Sequence, residues 1–359
     1  METSLEVRLR STVEGHVPGI AVAVVDANGI RDAVGVGMAD LAAGRPASPE
    51  MVCPWFSMTK IATATAAMQL VEGGVLDLDA PLASHVPQMR HLRPASDAAG
   101  ITARHLLSHS AGLANPIPVG WIHPLDQPGP DADTFLDGLL SKHEKLRFEP
   151  GAKSSYSNLG MLVLGAAMAN LTGEPFSDLV RRGVLDPLDM ESTGFAYSPA
   201  MEARVATGYH PRQSLMRFML KRWVIGRPVG RWISLNSFLL DGQAYGGLIG
   251  PVTDASRFVR MHICEGELDG VRVLDASSAR RMRDVQFPGR RFDFGLGWFR
   301  PSSARHADPP FVEHLGGGAG FFNVIRIYPT RGVGIAVMGN ATKYDIDAVA
   351  ALALDNIMI

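Results

Sequence analysis

The residues of this chain best suited to covalent chemistry are a serine and a lysine three positions apart. Ser57 and Lys60 form the only Ser-x-x-Lys in the sequence, and residues 61–72 are rich in Ala, Leu and Met and end at two glycines. This pattern predicts a helix that Ser57 opens, with Lys60 one turn further along the same face. A hydroxyl is a weak nucleophile until a base takes its proton, and a partly desolvated lysine can be that base. An N-cap serine followed by a surface lysine fits the same residues when they are taken alone.

Two further motifs add groups that a serine nucleophile needs. Residues 156–158 form the only Tyr-x-Asn of the chain, and residues 314–316 form the only His-x-Gly. Tyr156 offers a phenol that can donate or accept a proton, and Asn158 offers an amide that can hold a lysine ammonium and a substrate carbonyl. His314 is expected to face the same pocket, and the glycines after it allow a backbone N–H to approach a ligand closely. Together the three motifs favour the catalytic interpretation.

The elements that must position these residues are predicted from turn signals and hydrophobic periodicity. Residues 19–25 and 30–37 flank an Asp-Ala-Asn-Gly segment, which is a strong hairpin signal. A second hairpin joins residues 321–328 to residues 333–338. The other segments with a helical pattern are 1–14, 159–171, 252–264, 275–285 and 344–357.

Helices at both termini, with antiparallel strands between them, indicate an α/β (α+β) lobe built from the two ends of the chain. We expect residues 1–60 and 246–359 to form this lobe, an antiparallel sheet flanked by the terminal helices. Residues 61–245 are expected to form an inserted, mostly helical lobe with long loops. Ser57 would lie at the junction of the lobes, where ligand pockets preferentially form. The tyrosine motif would come from a loop of the helical lobe and the histidine motif from an edge strand.

The three motifs, in this order along the chain, resemble those of the serine β-lactamase and penicillin-binding-protein superfamily. The Tyr-x-Asn motif is similar to that of the class C β-lactamase branch, which also contains the family VIII carboxylesterases. The resemblance covers nearly the whole chain and implies a β-lactamase/transpeptidase-like fold. Further segments that resemble this branch are residues 106–113 (Leu-Leu-Ser-His-Ser-Ala-Gly-Leu), 149–151 (Glu-Pro-Gly) and 246–249 (Gly-Gly-Leu-Ile).

The resemblance implies a role for each motif residue in acyl transfer through a serine-bound intermediate. Ser57 would carry the acyl group, and Lys60 and Tyr156 would share the general-base role, with Tyr156 returning the proton to the leaving alcohol. Which of the two takes the first proton stays open, because they would titrate as a coupled pair. The backbone N–H groups of Ser57 and Gly317 would form the oxyanion hole. The residues implied to bind or orient the substrate are Asn158, His314 and Gly316.

His314 is where the chain departs from class C β-lactamases, which carry a lysine at the start of the third motif. A histidine near neutral pH holds a substrate carboxylate less firmly than a lysine does. The substitution therefore favours a carboxylesterase that acts on short- to medium-acyl esters. The alternatives are a β-lactamase or D-amino-acid peptidase (an amide hydrolase), an acyltransferase that uses the same site, and a catalytically silent binding protein, which the intact motifs disfavour.

Composition agrees with a small-molecule enzyme and predicts no cofactor. A net charge of −2 gives no case for binding nucleic acid or an anionic membrane. The two cysteines offer neither a disulfide framework nor a metal cage, and Cys53 is predicted to be a small buried filler. His105 and His109 have a spacing that can hold a metal on a helix, but no carboxylate stands where a zinc protease needs one, so we expect structural histidines. There is no Gly-x-Ser-x-Gly elbow and no Gly-Lys of a nucleotide-binding loop.

The sequence gives no signal for membrane insertion or export. Residues 1–14 are charged throughout and lack the apolar region of a signal peptide, and no window approaches ~18 uninterrupted apolar residues. We therefore expect a cytoplasmic protein, and its oligomeric state stays open. Residues 217–232 interleave basic and aromatic side chains, which is typical of a solvated insert. A lid that contacts acyl chains or a membrane surface is the alternative for this stretch.

Overall fold

The computed structural model describes residues 4–214 and 218–356, which contain ten α-helices and seventeen strands. The helices are Ser4–Val13 (α1), Thr59–Glu72 (α2), Ala95–Ala99 (α3), Ala103–Leu107 (α4), Ala132–Lys142 (α5), Asn158–Thr172 (α6), Phe176–Val180 (α7), Val252–Ile263 (α8), Ala276–Arg283 (α9) and Ile346–Asn356 (α10). The strands are Gly19–Asp26 (β1), Gly29–Asp40 (β2), Arg45–Pro46 (β3), Cys53–Pro54 (β4), Ile122–His123 (β5), Gly208–Pro211 (β6), Ile225–Val229 (β7), Trp232–Leu235 (β8), Leu239–Leu240 (β9), Ile249–Gly250 (β10), Glu267–Leu268 (β11), Val271–Arg272 (β12), Phe292–Phe294 (β13), Phe299–Pro301 (β14), Val312–Gly318 (β15), Phe321–Tyr328 (β16) and Val333–Gly339 (β17).

An eight-stranded antiparallel sheet joins the two ends of the chain and contains the two predicted hairpins, β1-β2 and β16-β17. Its strand order is β13-β14-β15-β16-β17-β1-β2-β3, so that β1 from the N-terminal part pairs with β17 from the C-terminal part. Both strands are apolar along nearly their whole length because helices cover both faces of the sheet. Alternate residues of β1 enter different cores. Ile20, Val22 and Val24 pack with α1 and α10, whereas Ala21, Ala23 and Val25 pack on the α8 side.

The residues between β4 and β10 form a helical region around two buried helices. Thr59–Met68 of α2 are all buried, and α6 is apolar on nearly every face, so each helix is enclosed by its neighbours. Gly165 of α6 lets this helix approach Ala244, since a Cβ at residue 165 would lie 2.7 Å from the Ala244 Cβ. The region also carries two small sheets, β5-β9 and β6-β8-β7.

Two predictions about local structure were wrong. The strand that carries His314, β15, lies between β14 and β16 and is not an edge strand. It pairs with β14 only at Glu313, so the glycine-rich end of β15 is free on that side to contact the segment around Ser57. Helix α4 ends at Leu107, and His109 follows it with φ +55°, so the two histidines do not share a helix face.

The basic and aromatic stretch 217–232 begins outside the described residues, since Arg217 lies in the segment 215–217. Its remainder forms a 3-10 turn, Arg222–Val224, and most of the β7-β8 hairpin. Phe218 and Met219 are exposed, and Met219 borders the cavity beside Ser57. Within the described ranges no helix has the length and apolarity needed to cross a membrane.

Candidate active site

Ser57 lies in a single 3-10 turn, Phe56–Met58, that leads directly into α2. The helix predicted to follow this serine is thereby confirmed, although it begins two residues later, at Thr59, with Met58 as its N-cap. Phe56 has φ +49°, a left-handed conformation that is rare for an aromatic residue and often marks a functional site. The turn is held from both sides. The Trp55 N–H donates to the Leu248 carbonyl at 2.7 Å, and Gly316 packs so closely that a Cβ there would lie 2.1 Å from the Trp55 carbonyl oxygen.

Lys60 is fully buried directly beneath Ser57. Its Nζ lies 3.0 Å from Ser57 Oγ and donates a hydrogen bond to the Tyr245 carbonyl at 2.5 Å. The amine also lies 4.9 Å from the ring centroid of Tyr156 and 5.6 Å from that of Tyr245. Among the described residues no carboxylate forms an ion pair with Lys60. Burial therefore lowers the pKa of Lys60 well below its ordinary value of 10.5.

Tyr156 comes from the loop before α6, as expected. Ser157 caps this helix by accepting from the Gly160 N–H, and its hydroxyl donates to the Ala114 carbonyl, which fixes the loop on either side. The Tyr156 ring packs 4.6 Å from the ring of His109. Burial raises the pKa of the Tyr156 phenol, and a hydrogen bond with Ser57 opposes that shift. The phenol is consequently neutral near pH 7, while the neighbouring lysine has lost much of its tendency to hold a proton.

Asn158 is the first residue of α6. Asn158 Oδ1 is buried without a hydrogen bond among the described residues, while the backbone N–H of Asn158 donates to Asn115 Oδ1 at 3.0 Å. The expected contact between this amide oxygen and the Lys60 ammonium is therefore not formed, and Lys60 donates to the Tyr245 carbonyl. An unsatisfied buried acceptor beside a cavity is a group that a ligand can satisfy.

His314 is 1% exposed and faces the same site from β15. Its Nδ1 lies 2.8 Å from the Leu315 carbonyl, so Nδ1–H donates and Nε2 carries the free lone pair, without a partner in the described structure. Burial, together with the nearby charge of Lys60, lowers the pKa of His314 to about 3. The imidazole is therefore uncharged at neutral pH. The replacement of the class C lysine by histidine indicated that this position is uncharged. The structure gives the reason, which is that the imidazole is desolvated.

Gly317 and Ser57 stand together where two cavities meet. The first cavity, of about 470 Å³, has mainly apolar walls, and the second, of about 510 Å³, is more polar. Asn158 borders only the first cavity, and Tyr156 borders only the second. Representative residues of the first are Phe56, Ile122, Phe238, Leu240, Ala319 and Phe322. Representative residues of the second are Asn115, Ser154, Arg290, Arg291, Phe299 and His314.

Sequence reasoning missed two residues that complete the site. Tyr245 supplies the carbonyl that accepts from Lys60, and its position directly before the Gly246–Leu248 turn was the available signal. His109 supports the ring of Tyr156, and its Nδ1 accepts from the Ser157 N–H at 3.2 Å. Cys53 is fully buried, in agreement with a filler role. No group of three or more potential metal ligands occurs in residues 4–214 and 218–356.

Comparison with known proteins agrees with these motifs and this geometry. The Beta-lactamase family matches residues 5–357 of the sequence. The chain belongs to this family. The order of the three motifs along the chain agrees with this membership of the β-lactamase and penicillin-binding-protein superfamily.

Individual members of the family are similar over different shares of the chain. Protein Rv1367c of Mycobacterium tuberculosis is 32% identical over 69% of the chain, and the match spans only 63% of that relative's length. Penicillin-binding protein 4 of Amycolatopsis lactamdurans is 29% identical, with 93% of the chain and 84% of the relative covered. Esterase EstB of Burkholderia gladioli is 34% identical over 49% of the chain and 46% of its own length.

A solved structure shows that the fold is shared over the whole chain. The D-amino acid amidase from Ochrobactrum anthropi superposes with a TM-score of 0.78 at 22% identity, covering 99% of this chain and 98% of the amidase. The similar proteins thus include, by name, a penicillin-binding protein, an esterase and an amidase.

Proposed function

We propose that this hydrolase is a carboxylesterase that cleaves short- to medium-acyl esters through an acyl-enzyme on Ser57. The observation that carries the proposal is the buried Lys60 amine, 3.0 Å from Oγ of Ser57, a residue that lines an apolar cavity of about 470 Å³. Burial without a carboxylate partner lowers the pKa of this amine, which favours the uncharged form that can accept the proton of Ser57. An alkyl chain that enters the cavity leaves water and is buried against apolar side chains, which favours binding.

The opposite pKa shifts of Lys60 and Tyr156 suggest an order for the proton transfers. Neutral Lys60 takes the proton of Ser57 as Oγ attacks the ester carbonyl, and the N–H groups of Ser57 and Gly317 hold the oxyanion. Neutral Tyr156 then donates its proton to the departing alkoxide, and the proton on Lys60 replaces it. Water, deprotonated by the same pair, attacks the acyl-enzyme and releases the acid. Asn158 Oδ1, His314 and Gly316 are assigned to binding and orienting the substrate.

The preference for esters over amides rests on His314 and on the apolar cavity. An uncharged histidine at the start of the third motif gives no fixed cation on β15 to hold the carboxylate of a β-lactam or peptide. The similarity to esterase EstB supports the same choice over about half of the chain. Amide hydrolysis, the activity named in the structurally similar amidase, is the alternative that the test must distinguish.

The test compares wild-type protein with Ser57→Ala on p-nitrophenyl butyrate and on nitrocefin. We expect ester turnover that the substitution abolishes, and little turnover of nitrocefin. Ser141→Ala is the matched control, because Ser141 is exposed on α5, away from both cavities. Faster hydrolysis of nitrocefin than of the ester would identify a β-lactamase instead. Ester turnover that survives Ser57→Ala would refute the assignment of Ser57.

A further inference from the structure

The two cavities at Ser57 are assigned to different ends of the substrate by the residues that border them, if the proposed function holds. Tyr156, the proposed donor to the leaving alkoxide, borders only the second cavity. Asn158 borders only the first, apolar cavity. Because a general acid must lie within hydrogen-bond reach of the atom it protonates, the leaving group belongs in the second cavity. The acyl chain then occupies the first.

The second cavity has two arginines that no carboxylate neutralises. Arg290 and Arg291 border the cavity from the loop before β13, both are exposed, and neither forms an ion pair within the described residues. The nearby acid, Asp293, is already paired with Arg300 at 2.9 Å and with Arg305 at 2.6 Å. No Asp or Glu of residues 4–214 and 218–356 lines the cavity. This end of the site is thus positively charged without an internal counter-charge.

Buried polar groups without partners face the same cavity. Ser154 Oγ is buried without a hydrogen bond among the described residues, although its hydroxyl can donate one. It lies against the arginine loop, since a Cβ at Gly289 would be 2.9 Å from this oxygen. His314 Nε2 is a second such group, since His314 is 1% exposed, lines the same cavity as Ser57, and has no partner for Nε2 among the described residues. Groups of this kind are expected to be satisfied by a ligand or by water.

We infer that the second cavity binds a leaving alcohol that carries an anionic group, with Arg290 and Arg291 as the residues that determine this specificity. The substrate is then an acylated hydroxy acid. Water and the ester give a carboxylic acid and a hydroxy acid anion, and the acyl–oxygen bond breaks while a proton from Tyr156 goes to the leaving oxygen. An uncharged His314 is compatible with an anionic leaving group, because the anion would lie at the loop that carries Arg290 and Arg291 and not beside β15.

The inference is tested with two esters whose leaving groups are similar in shape and differ in charge. These are 4-carboxyphenyl butyrate and its uncharged counterpart, 4-carbamoylphenyl butyrate. Their intrinsic reactivities differ, so the readout is the change in the charged-to-neutral ratio of kcat/KM that a substitution causes. We expect the double substitution Arg290→Gln and Arg291→Gln to lower this ratio by roughly three- to thirtyfold, as the loss of two partly exposed charge pairs predicts. High salt should lower the wild-type ratio in the same direction.

Arg331→Gln is the control variant, because Arg331 is exposed in the turn between β16 and β17 and borders neither cavity. It is expected to leave the ratio as in the wild type. An unchanged ratio in the double variant, or an equal change in Arg331→Gln, would overturn the inference while leaving the esterase proposal in place. If neither ester is cleaved in a Ser57-dependent manner, the proposed function fails and the inference fails with it.

Discussion

Nζ of Lys60 lies 3.0 Å from Oγ of Ser57, in an interior where the described residues provide the amine with a carbonyl and two aromatic rings but no carboxylate. An ammonium in this position would be poorly solvated. Because no carboxylate stabilises the ammonium, Lys60 can act as a base for Ser57. For the same reason, protonation of Lys60 destabilises the folded state. Two predictions follow from these two consequences.

Lys60→Met removes the base and keeps an unbranched side chain of similar length in the interior. We expect kcat/KM for p-nitrophenyl butyrate to fall by roughly 10²- to 10⁴-fold, the range typical of a lost general base. Lys142→Met, at an exposed residue in the last turn of α5, is the matched control and should keep wild-type turnover. Comparable turnover by Lys60→Met and the control would show that Lys60 is not the base.

The same substitution should change how stability depends on pH. In the unfolded chain Lys60 holds its proton up to about pH 10.5, whereas its folded pKa lies well below that value. Between these two pKa values the unfolded state binds more protons, so the free energy of unfolding rises with pH, by ~1.4 kcal/mol per pH unit for one group. Urea unfolding at about pH 9 and about pH 10 should show this extra rise in the wild type, and Lys60→Met should lack it. Parallel curves for the two proteins would contradict the lowered pKa.

Tyr156→Phe should distinguish substrates by the quality of their leaving group. Burial keeps the Tyr156 phenol protonated, so its proposed task is to give a proton to the departing oxygen. Nitrophenolate departs without that proton, whereas an ethoxide needs it. We expect kcat/KM to fall roughly tenfold more for ethyl butyrate than for p-nitrophenyl butyrate. Tyr197→Phe, which removes a buried phenol that borders neither cavity, should not separate the two substrates.

If the first, apolar cavity holds the acyl chain, its size limits the length of that chain, and a substitution that fills the cavity should lower the limit. Ala319 borders the apolar cavity, and a phenylalanine there would fill part of its volume. Each methylene that can no longer be buried costs about 0.8 kcal/mol, so losing room for two methylenes lowers the octanoate-to-acetate ratio of kcat/KM by roughly tenfold or more. Ala99→Phe, at an exposed residue of α3, should leave the ratio unchanged. An unchanged ratio in Ala319→Phe would place the acyl group elsewhere.

The hairpins, the terminal helices and the serine-bearing helix could be predicted because local pattern decides them. Residues 26–29 favour a turn whatever the rest of the chain does, and the Ala-rich residues after Lys60 strongly favour a helix. The position of β15 inside the sheet could not be predicted in this way. It depends on β14 adding at Glu313, a contact between segments that share no local signal.

The hydrogen-bond partner of Lys60 could not be predicted from the sequence either. The motif resemblance pointed to the Asn158 amide, but the carbonyl that accepts from Lys60 belongs to Tyr245, 185 residues away along the chain. A backbone carbonyl carries no residue-type signal, because every residue has one. The arginines of the second cavity went unnoticed for a related reason. Nothing in the sequence around Arg290 and Arg291 indicates that their loop faces Ser57.

His314→Lys tests whether the uncharged third motif sets the preference for esters. A lysine at this residue would place a cation on β15, so we expect the ratio of nitrocefin to p-nitrophenyl butyrate turnover to rise by roughly tenfold, the effect of one partly desolvated charge pair. The position is 1% exposed, and a buried charge should also lower Tm. His314→Gln is the control, since it removes the ring without adding charge and should leave the ratio near that of the wild type. A ratio that does not rise in His314→Lys would mean that the neutral charge of His314 does not determine which substrates are accepted.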